Sequence, residues 1–302
     1  TAVLTTDAVG GKDAHLLESY LQDDWSMNET PELVTGVRYT RDQFFGDNFA
    51  PKGNLSYSPK ILKNTESVFR AAVGTGYRVP ALKERFYTLD HRALAGYMIE
   101  GNPDLQPEKS VSYSLGTEWT YKEKTSFSAN VFVNDVQSMV SLEEVPTGTT
   151  ERRFTYINLD EVRIRGLELG TTYYLIPSLR ANHSFTYTRA QDQRTGLIIP
   201  QRPFYVGNTQ VRYEIPRLKS EIIYTFRYFG ESYANLENTE KYAAYSQSDL
   251  RFNYKFSDAA QIYFGLLNLF DVKKQAAQDG ATPYDQRPAL GRYVFVGFRS
   301  EG

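Results

Sequence analysis

Long runs in which bulky side chains alternate with small or polar ones leave this chain few folds. From Val111 to Tyr121 ("VSYSLGTEWTY") the odd positions are Val111, Tyr113, Leu115, Thr117, Trp119 and Tyr121, whereas the even ones are Ser112, Ser114, Gly116, Glu118 and Thr120. Successive side chains of a strand point to opposite faces, so each such run is a strand with one apolar and one polar face. The pattern recurs in Phe127, Ala129, Val131 and Val133. It recurs again where Ile222, Tyr224, Phe226 and Tyr228 oppose Glu221, Thr225 and Arg227, and where Leu250, Phe252, Tyr254 and Phe256 oppose Asp249, Arg251, Asn253 and Lys255. No helical period fits these segments. The bulky half is largely aromatic, with 23 tyrosines and 18 phenylalanines, a weight unlike that of a soluble α/β enzyme.

The connections alternate in length. Tight ones fall at 26–32, 57–66, 121–125, 175–178, 214–219 and 256–260; longer, wetter ones fall around 42–50, 78–109, 142–151, 190–203, 230–242 and 272–290. Short turns on one side and long loops on the other describe a transmembrane antiparallel β-barrel. The rival, a soluble β-sandwich, would want shorter strands and more frequent turns. Thirteen strands are predicted, at about 15–27, 32–42, 49–58, 66–77, 110–121, 125–142, 152–175, 178–190, 203–214, 219–230, 243–256, 260–271 and 290–300. With the tight turns periplasmic, "TAVLTTDAVGGKDA" is expected in an outer loop. Ile222, Tyr224, Phe226 and Tyr228 are expected to face lipid, and Glu221, Thr225 and Arg227 the lumen. Single-chain bacterial barrels have even strand numbers and no open edge, so an odd set reads as part of a larger barrel.

Composition removes other classes. A net charge of -2 gives no basic surface for nucleic acid. Cysteine is absent, which excludes disulfides and thiolate metal sites. No apolar run approaches 18 residues, as a transmembrane helix would need, and the opening residues do not read as a signal peptide. Nor is there a serine-nucleophile motif, a paired-carboxylate site or a phosphate-binding glycine loop, so no enzyme is expected. Asp90 beside His91 could imitate half of a hydrolase dyad, but sequence neighbours rarely form one.

Between the predicted fourth and fifth strands stands "GNPDLQPEKS" (Gly101 to Ser110). Pro103 and Pro107 bias Asn102 and Gln106 toward extended backbone, and Asn102 and Asp104 can bond nearby backbone and hold a turn. This segment reads as a stiff corner that returns a loop to the rim at a set angle. Together with the alternating run after it, it closely resembles the re-entry of a large outer loop in TonB-dependent outer-membrane transporters. Five further stretches match that family in order: "ESYLQDDW" (18–25) with "ELVTGVRYT" (32–40), "VGTGYRVPALKERFY" (73–87), "YINLDEVRIRGLELG" (156–170), "GLLNLFDVKK" (265–274) and "GRYVFVGF" (291–298). The resemblance implies an all-β fold, the C-terminal strands of a 22-stranded barrel with a plugged lumen. It implies one domain over 1–302, with the plug and about nine further strands lying elsewhere. The family usually ends in an aromatic residue; Ser300 and Gly302 stand at the expected places.

The function implied is energy-coupled import of a scarce, iron-bearing ligand across a Gram-negative outer membrane. No resident cofactor is implied; haem, which the loop layout favours, or a ferric siderophore would be the transported ligand, with cobalamin an alternative. The partners implied are the inner-membrane TonB complex acting through the plug, outer-membrane lipid, and possible delivery of ligand by a surface protein. The rival of another class is a passive porin or adhesin on the same strands. In haem transporters of the family an aromatic-Arg-Ala-Pro box and an Asn-Pro box flank an iron-binding histidine. Here Tyr77, Arg78 and Pro80 resemble the first box, with Val79 in place of alanine. Asn102, Pro103, Asp104, Leu105, Pro107 and Glu108 resemble the second. His91 lies between them and would bind haem iron, with Tyr87, Tyr97 and Arg78 as further ligand contacts. The other histidines fit no such role: His183 falls in the lipid-facing file of Leu179, Ala181, Phe185 and Tyr187, and His15 at the rim.

Overall fold

The computed structural model describes residues 2–9, 12–26, 31–145, 152–257, 259–273 and 291–300. The chain begins with β1 (Ala2–Val9), β2 (Lys12–Ser26), β3 (Glu32–Asp42), β4 (Gly46–Tyr57) and β5 (Thr65–Arg78). A long loop follows, holding helix α1 (Leu82–Phe86), strand β6 (Thr88–His91), helix α2 (Arg92–Ala95) and strand β7 (Tyr97–Glu100). Then come β8 (Glu108–Tyr121), β9 (Thr125–Val145), β10 (Arg152–Ile176), β11 (Leu179–Asp192), β12 (Tyr205–Ile215) and β13 (Ser220–Phe229). A second loop carries the short pair β14 (Ser232–Tyr233) and β15 (Lys241–Tyr242). The chain ends with β16 (Tyr245–Ser257), β17 (Ala260–Leu267) and β18 (Tyr293–Ser300).

All long strands pair antiparallel with their sequence neighbours in one sheet, in the order β1-β2-β3-β4-β5-β8-β9-β10-β11-β12-β13-β16-β17-β18. This wall has fourteen strands, one more than the alternation predicts. The difference is β1, which pairs with β2 from Ala2↔Ser19 to Val9↔Lys12 and so is not the outer loop expected of it. Among the described residues β1 and β18 each have a single neighbour, and the wall is open.

Cross-strand register confirms the two faces. Tyr113 (β8), Val133 (β9) and Val73 (β5) share one file, and Leu115, Val131 and Ala71 the next. Leu115 is 62% exposed, Leu21 71% and Val296 67%. In water such a surface would be a severe liability, but facing hydrocarbon it is the required state. The other face holds charges in pairs: Arg70 with Glu118 at 3.1 Å, Arg212 with Glu221 at 2.8 Å, and Arg227 with Asp249. Thus Arg227 faces the lumen and Tyr228 is exposed, as the alternation predicts. His183 lies in the outward file between Thr171 and Thr209, its Nδ1 2.8 Å from Thr209 Oγ1.

Two connections differ from expectation. The segment 42–50 is no wet loop, because β4 begins at Gly46: Asp42 Oδ1 accepts hydrogen bonds from the backbone N–H of Phe44 (2.7 Å) and Phe45 (2.9 Å), closing a tight turn. The segment 142–151 is shorter as well, since β9 continues to Val145; 146–151 lie outside the described residues, as do 27–30, 274–290 and Gly302. A strand needs about 9–11 residues to cross a bilayer. β9 with 21 and β10 with 25 must stand well clear of it. There β10 outruns β11, which pairs only as far as Val162, and its free edge at Arg152–Thr155 is taken in parallel by β7. Covering that edge prevents strand addition from outside. Beneath it, on the inward face, Val136, Leu159, Val162, Ala190 and Ile199 form a small apolar core.

Candidate functional site

The loop between β5 and β8 is held at both ends. Arg78, the last residue of β5, bonds Glu84 of α1 at 3.0 Å and Glu108, the first residue of β8, at 2.7 Å. Glu84 also accepts from the N–H of Ala81 (2.8 Å), and Glu108 from the N–H of Val140 (2.8 Å). One guanidinium therefore ties the loop's exit, its first helix and its re-entry together, as a planar five-donor fork can. Arg38 donates to the carbonyl of Tyr77 at 3.1 Å, and Pro80 is buried.

The re-entry corner is clamped to β10. Asn102 donates to the carbonyl of Tyr156 (2.8 Å) and accepts from the N–H of Asp104 (3.0 Å). Asn158 accepts from the N–H of Gln106 (2.8 Å) and donates to the carbonyls of Gln106 (3.0 Å) and Ser138 (2.7 Å). Leu105 is buried, 1% exposed, while Pro103 and Asp104 are exposed and Pro107 is half-buried. Gly101 passes so close to α1 that a Cβ there would lie 2.7 Å from backbone atoms of Arg85 and Phe86. The corner residues are thus committed to positioning the loop.

Inside the loop, β6 pairs with β7 and sets His91 directly opposite Tyr97. His91 Nδ1 lies 3.1 Å from the Tyr97 hydroxyl, and Tyr97 meets Phe154 of β10 edge to face at 6.3 Å. Tyr87 is exposed and sits at the other end of β6, about 13 Å from His91 by strand rise. Asp90 is taken by Arg92, whose guanidinium hydrogen bonds and N–H hold its carboxyl down to about 2. At neutral pH it is an anion locked to Arg92. His91 thus gains Tyr97 as a partner but no acid–base partner in Asp90.

Sequence patterns do not single out the cations that the fold leaves at this mouth. Helix α1 lies against β1 and β2, and its Arg85 stands over three rings: Phe44 at 4.7 Å, Phe45 at 5.0 Å and Phe86 at 4.7 Å. Its Nη2 donates to the Pro103 carbonyl at 3.3 Å, and its Nε is buried without a hydrogen-bond partner. Burial lowers the affinity of Arg85 for its proton; Arg202 in the β11–β12 loop shifts the same way through crowding of its guanidinium, although the residue is exposed overall, and against the opposing pull of Glu108. Other mouth arginines are neutralised: Arg152 by Glu144, Arg153 by Glu100, and Arg194 by Asp160 at 3.2 Å. Among the described residues no three His, Cys, Asp or Glu side chains converge as a metal site.

The loops above the inner face are also tied to one another. Asn238, beyond β14, accepts from the N–H of Ile198 (2.7 Å) and donates to its carbonyl (2.8 Å). This joins the β11–β12 and β13–β16 loops in front of the apolar core.

Comparison with known proteins agrees with this architecture. Residues 3–269 match the family model described as TonB dependent receptor-like, beta-barrel. The chain is 27% identical over 290 residues to the iron-regulated outer membrane virulence protein of Vibrio cholerae, covering 90% of this chain and 43% of that one. It is 23% identical over 261 residues to the vitamin B12 transporter of Photobacterium profundum, covering 85% and 38%. The crystal structure of a mutant ferric enterobactin receptor from Pseudomonas aeruginosa superposes with a TM-score of 0.74 at 19% identity, over 96% of this chain and 45% of that one. The chain spans under half the length of these relatives. With the family model matched over most of its residues, the chain belongs to the TonB-dependent receptors and builds part of their β-barrel.

Proposed function

We propose that the complete protein is an outer-membrane receptor that imports chelated iron, with a ferric siderophore as its ligand. Receptors of this family are transporters, not enzymes, and carry no cofactor. In this reading the described strands form the C-terminal part of a plugged, 22-stranded barrel, and about eight strands and the plug belong to the rest of the protein. The inner-membrane TonB complex would supply energy through that plug.

One observation carries the siderophore reading. Arg85 is half-buried and Arg202 is exposed at the mouth, and among the described residues neither lies within ion-pair distance of a carboxylate. The partly dehydrated Arg85 guanidinium beside its aromatic rings, with Arg202 as a second cation that has no carboxylate at ion-pair distance, suits a polyanionic, ring-bearing chelate, since charge-assisted hydrogen bonds strengthen away from water. Arg85→Gln and Arg202→Gln are each expected to weaken ferric siderophore binding by about tenfold or more, measured on the full-length receptor by fluorescence quenching. Unchanged affinity in both would remove this reading.

Haem is the second reading, favoured by the His91–Tyr97 contact. With Nδ1 held by the Tyr97 hydroxyl, Nε2 is the nitrogen left to face an iron, the arrangement usual for a ligating histidine. On this reading His91→Ala weakens haem binding at least tenfold, about 1.4 kcal/mol, without disturbing barrel assembly. Unchanged haem spectra would leave the siderophore alone. A passive porin remains the rival of another class, and a plug upstream in the full protein decides against it.

A further inference from the structure

The outward face carries an arrangement that neither stability nor ligand import explains. In β10 and β11 the outward files run Leu167, Leu169, Thr171, Tyr173 and Leu179, Ala181, His183, Phe185, Tyr187. From Leu179 to Tyr187 is nine residues, which at the usual rise and tilt spans the roughly 25 Å of an apolar band. One step beyond it toward the outer loops, Arg165 stands directly opposite Arg189. Like charges directly opposite in a ladder destabilise it, so this pair calls for a third party.

Among the described residues no side chain supplies one. On the β9 side Arg165 is opposite Val133. The next carboxylate outward, Asp135, is engaged by Arg163 through Nε (2.6 Å) and Nη2 (3.1 Å). Glu161 lies a further step out, opposite Gln137. Among the described residues neither Arg165 nor Arg189 lies within ion-pair distance of an acid, and Arg189 Nε is buried without a hydrogen-bond partner. Just below, Tyr187 and Tyr205 pack at 5.3 Å and Phe185 stacks on Tyr205 at 6.0 Å, an aromatic girdle at headgroup depth.

We propose that Arg165 and Arg189 together bind the phosphate of a lipid headgroup in the outer leaflet. Two guanidinium forks present donors in the geometry phosphate accepts. The position flush with the apolar band commits the occupant to a lipid, whose acyl chains would lie along Leu167, Tyr187 and their neighbours. Bound phosphate removes the repulsion between the two guanidiniums.

The test uses the full-length receptor in nanodiscs of phosphatidylcholine doped with diphosphorylated lipid A or with its dephosphorylated form, followed by native mass spectrometry. The unaltered protein is expected to retain the phosphorylated lipid at least tenfold better than R165Q/R189Q, and the dephosphorylated lipid no better than that variant does. R165K/R189K, which keeps both charges, should retain much of the binding and shows that the strands tolerate substitution. Equal retention by the unaltered protein and R165Q/R189Q would overturn the assignment. Complete displacement of the lipid by inorganic phosphate would overturn it too, because the pair would then be a site for free anions.

Discussion

Produced on its own, this chain is expected to give no closed monomeric barrel. Both ends of the wall are the reason: β1 and β18 are eight residues each, and among the described residues each has one neighbour. About half the backbone groups of an edge strand point away from its partner. In lipid each unsatisfied group costs several kcal/mol, so two such edges cost on the order of tens of kcal/mol, beyond the 5–15 kcal/mol that stabilises an ordinary domain. The fourteen strands are an even number and could close in principle; what counts against closure is the missing β1–β18 ladder. Refolded into detergent, the chain should form edge-to-edge oligomers or aggregates and show no heat-dependent shift on a denaturing gel. A heat-modifiable monomer would defeat the proposal that further strands complete the barrel.

How far the fold was legible depends on the scale of the interaction that fixes each element. Strands such as β8 and β13 announce themselves because lipid and lumen select opposite side chains at successive positions, a local signal of period two. β1 does not: "AVLTTDAV" carries no bulky file, and its place is fixed by pairing with β2. The β3–β4 turn looked like a wet loop because its polar residues suit either state, and one carboxylate, Asp42, decides between them. The mouth was least legible. His91 and Tyr97 were both candidates, but that they face each other follows from the β6–β7 pairing, which four-residue strands do not reveal in advance. Arg85 had no motif, since its meaning comes from Phe44 and Phe45 some forty positions earlier. The Arg165–Arg189 pair exists only through register, because a one-residue slip would send one of them to the lumen.

The clamp on the re-entry corner sets the second large expectation. Asn158 makes three hydrogen bonds, two to Gln106 and one to Ser138, and links the corner to β10 across 52 positions of sequence. Its replacement by alanine removes all three and leaves two carbonyls and an N–H to find water. At about 1 kcal/mol per bond, Asn158→Ala should favour opening of the corner by about 3 kcal/mol, a change on the order of a hundredfold. Gly101→Ala attacks the same corner from the other side. Its Cβ would meet backbone of Arg85 and Phe86 at 2.7 Å, and backbone atoms cannot swing aside as a flexible side chain could, so α1 or the corner must move. Hydrogen exchange of the peptide covering 101–108 in the full-length receptor measures both: each variant should exchange far faster there, with β8 protected as before. Because Arg78, Glu84 and Glu108 anchor the same loop, opening should also release Arg85 from its rings and lower ligand affinity, whichever chelate is carried. Unaltered exchange at 101–108 in both variants would show that the loop is held by Arg78 and its two carboxylates alone.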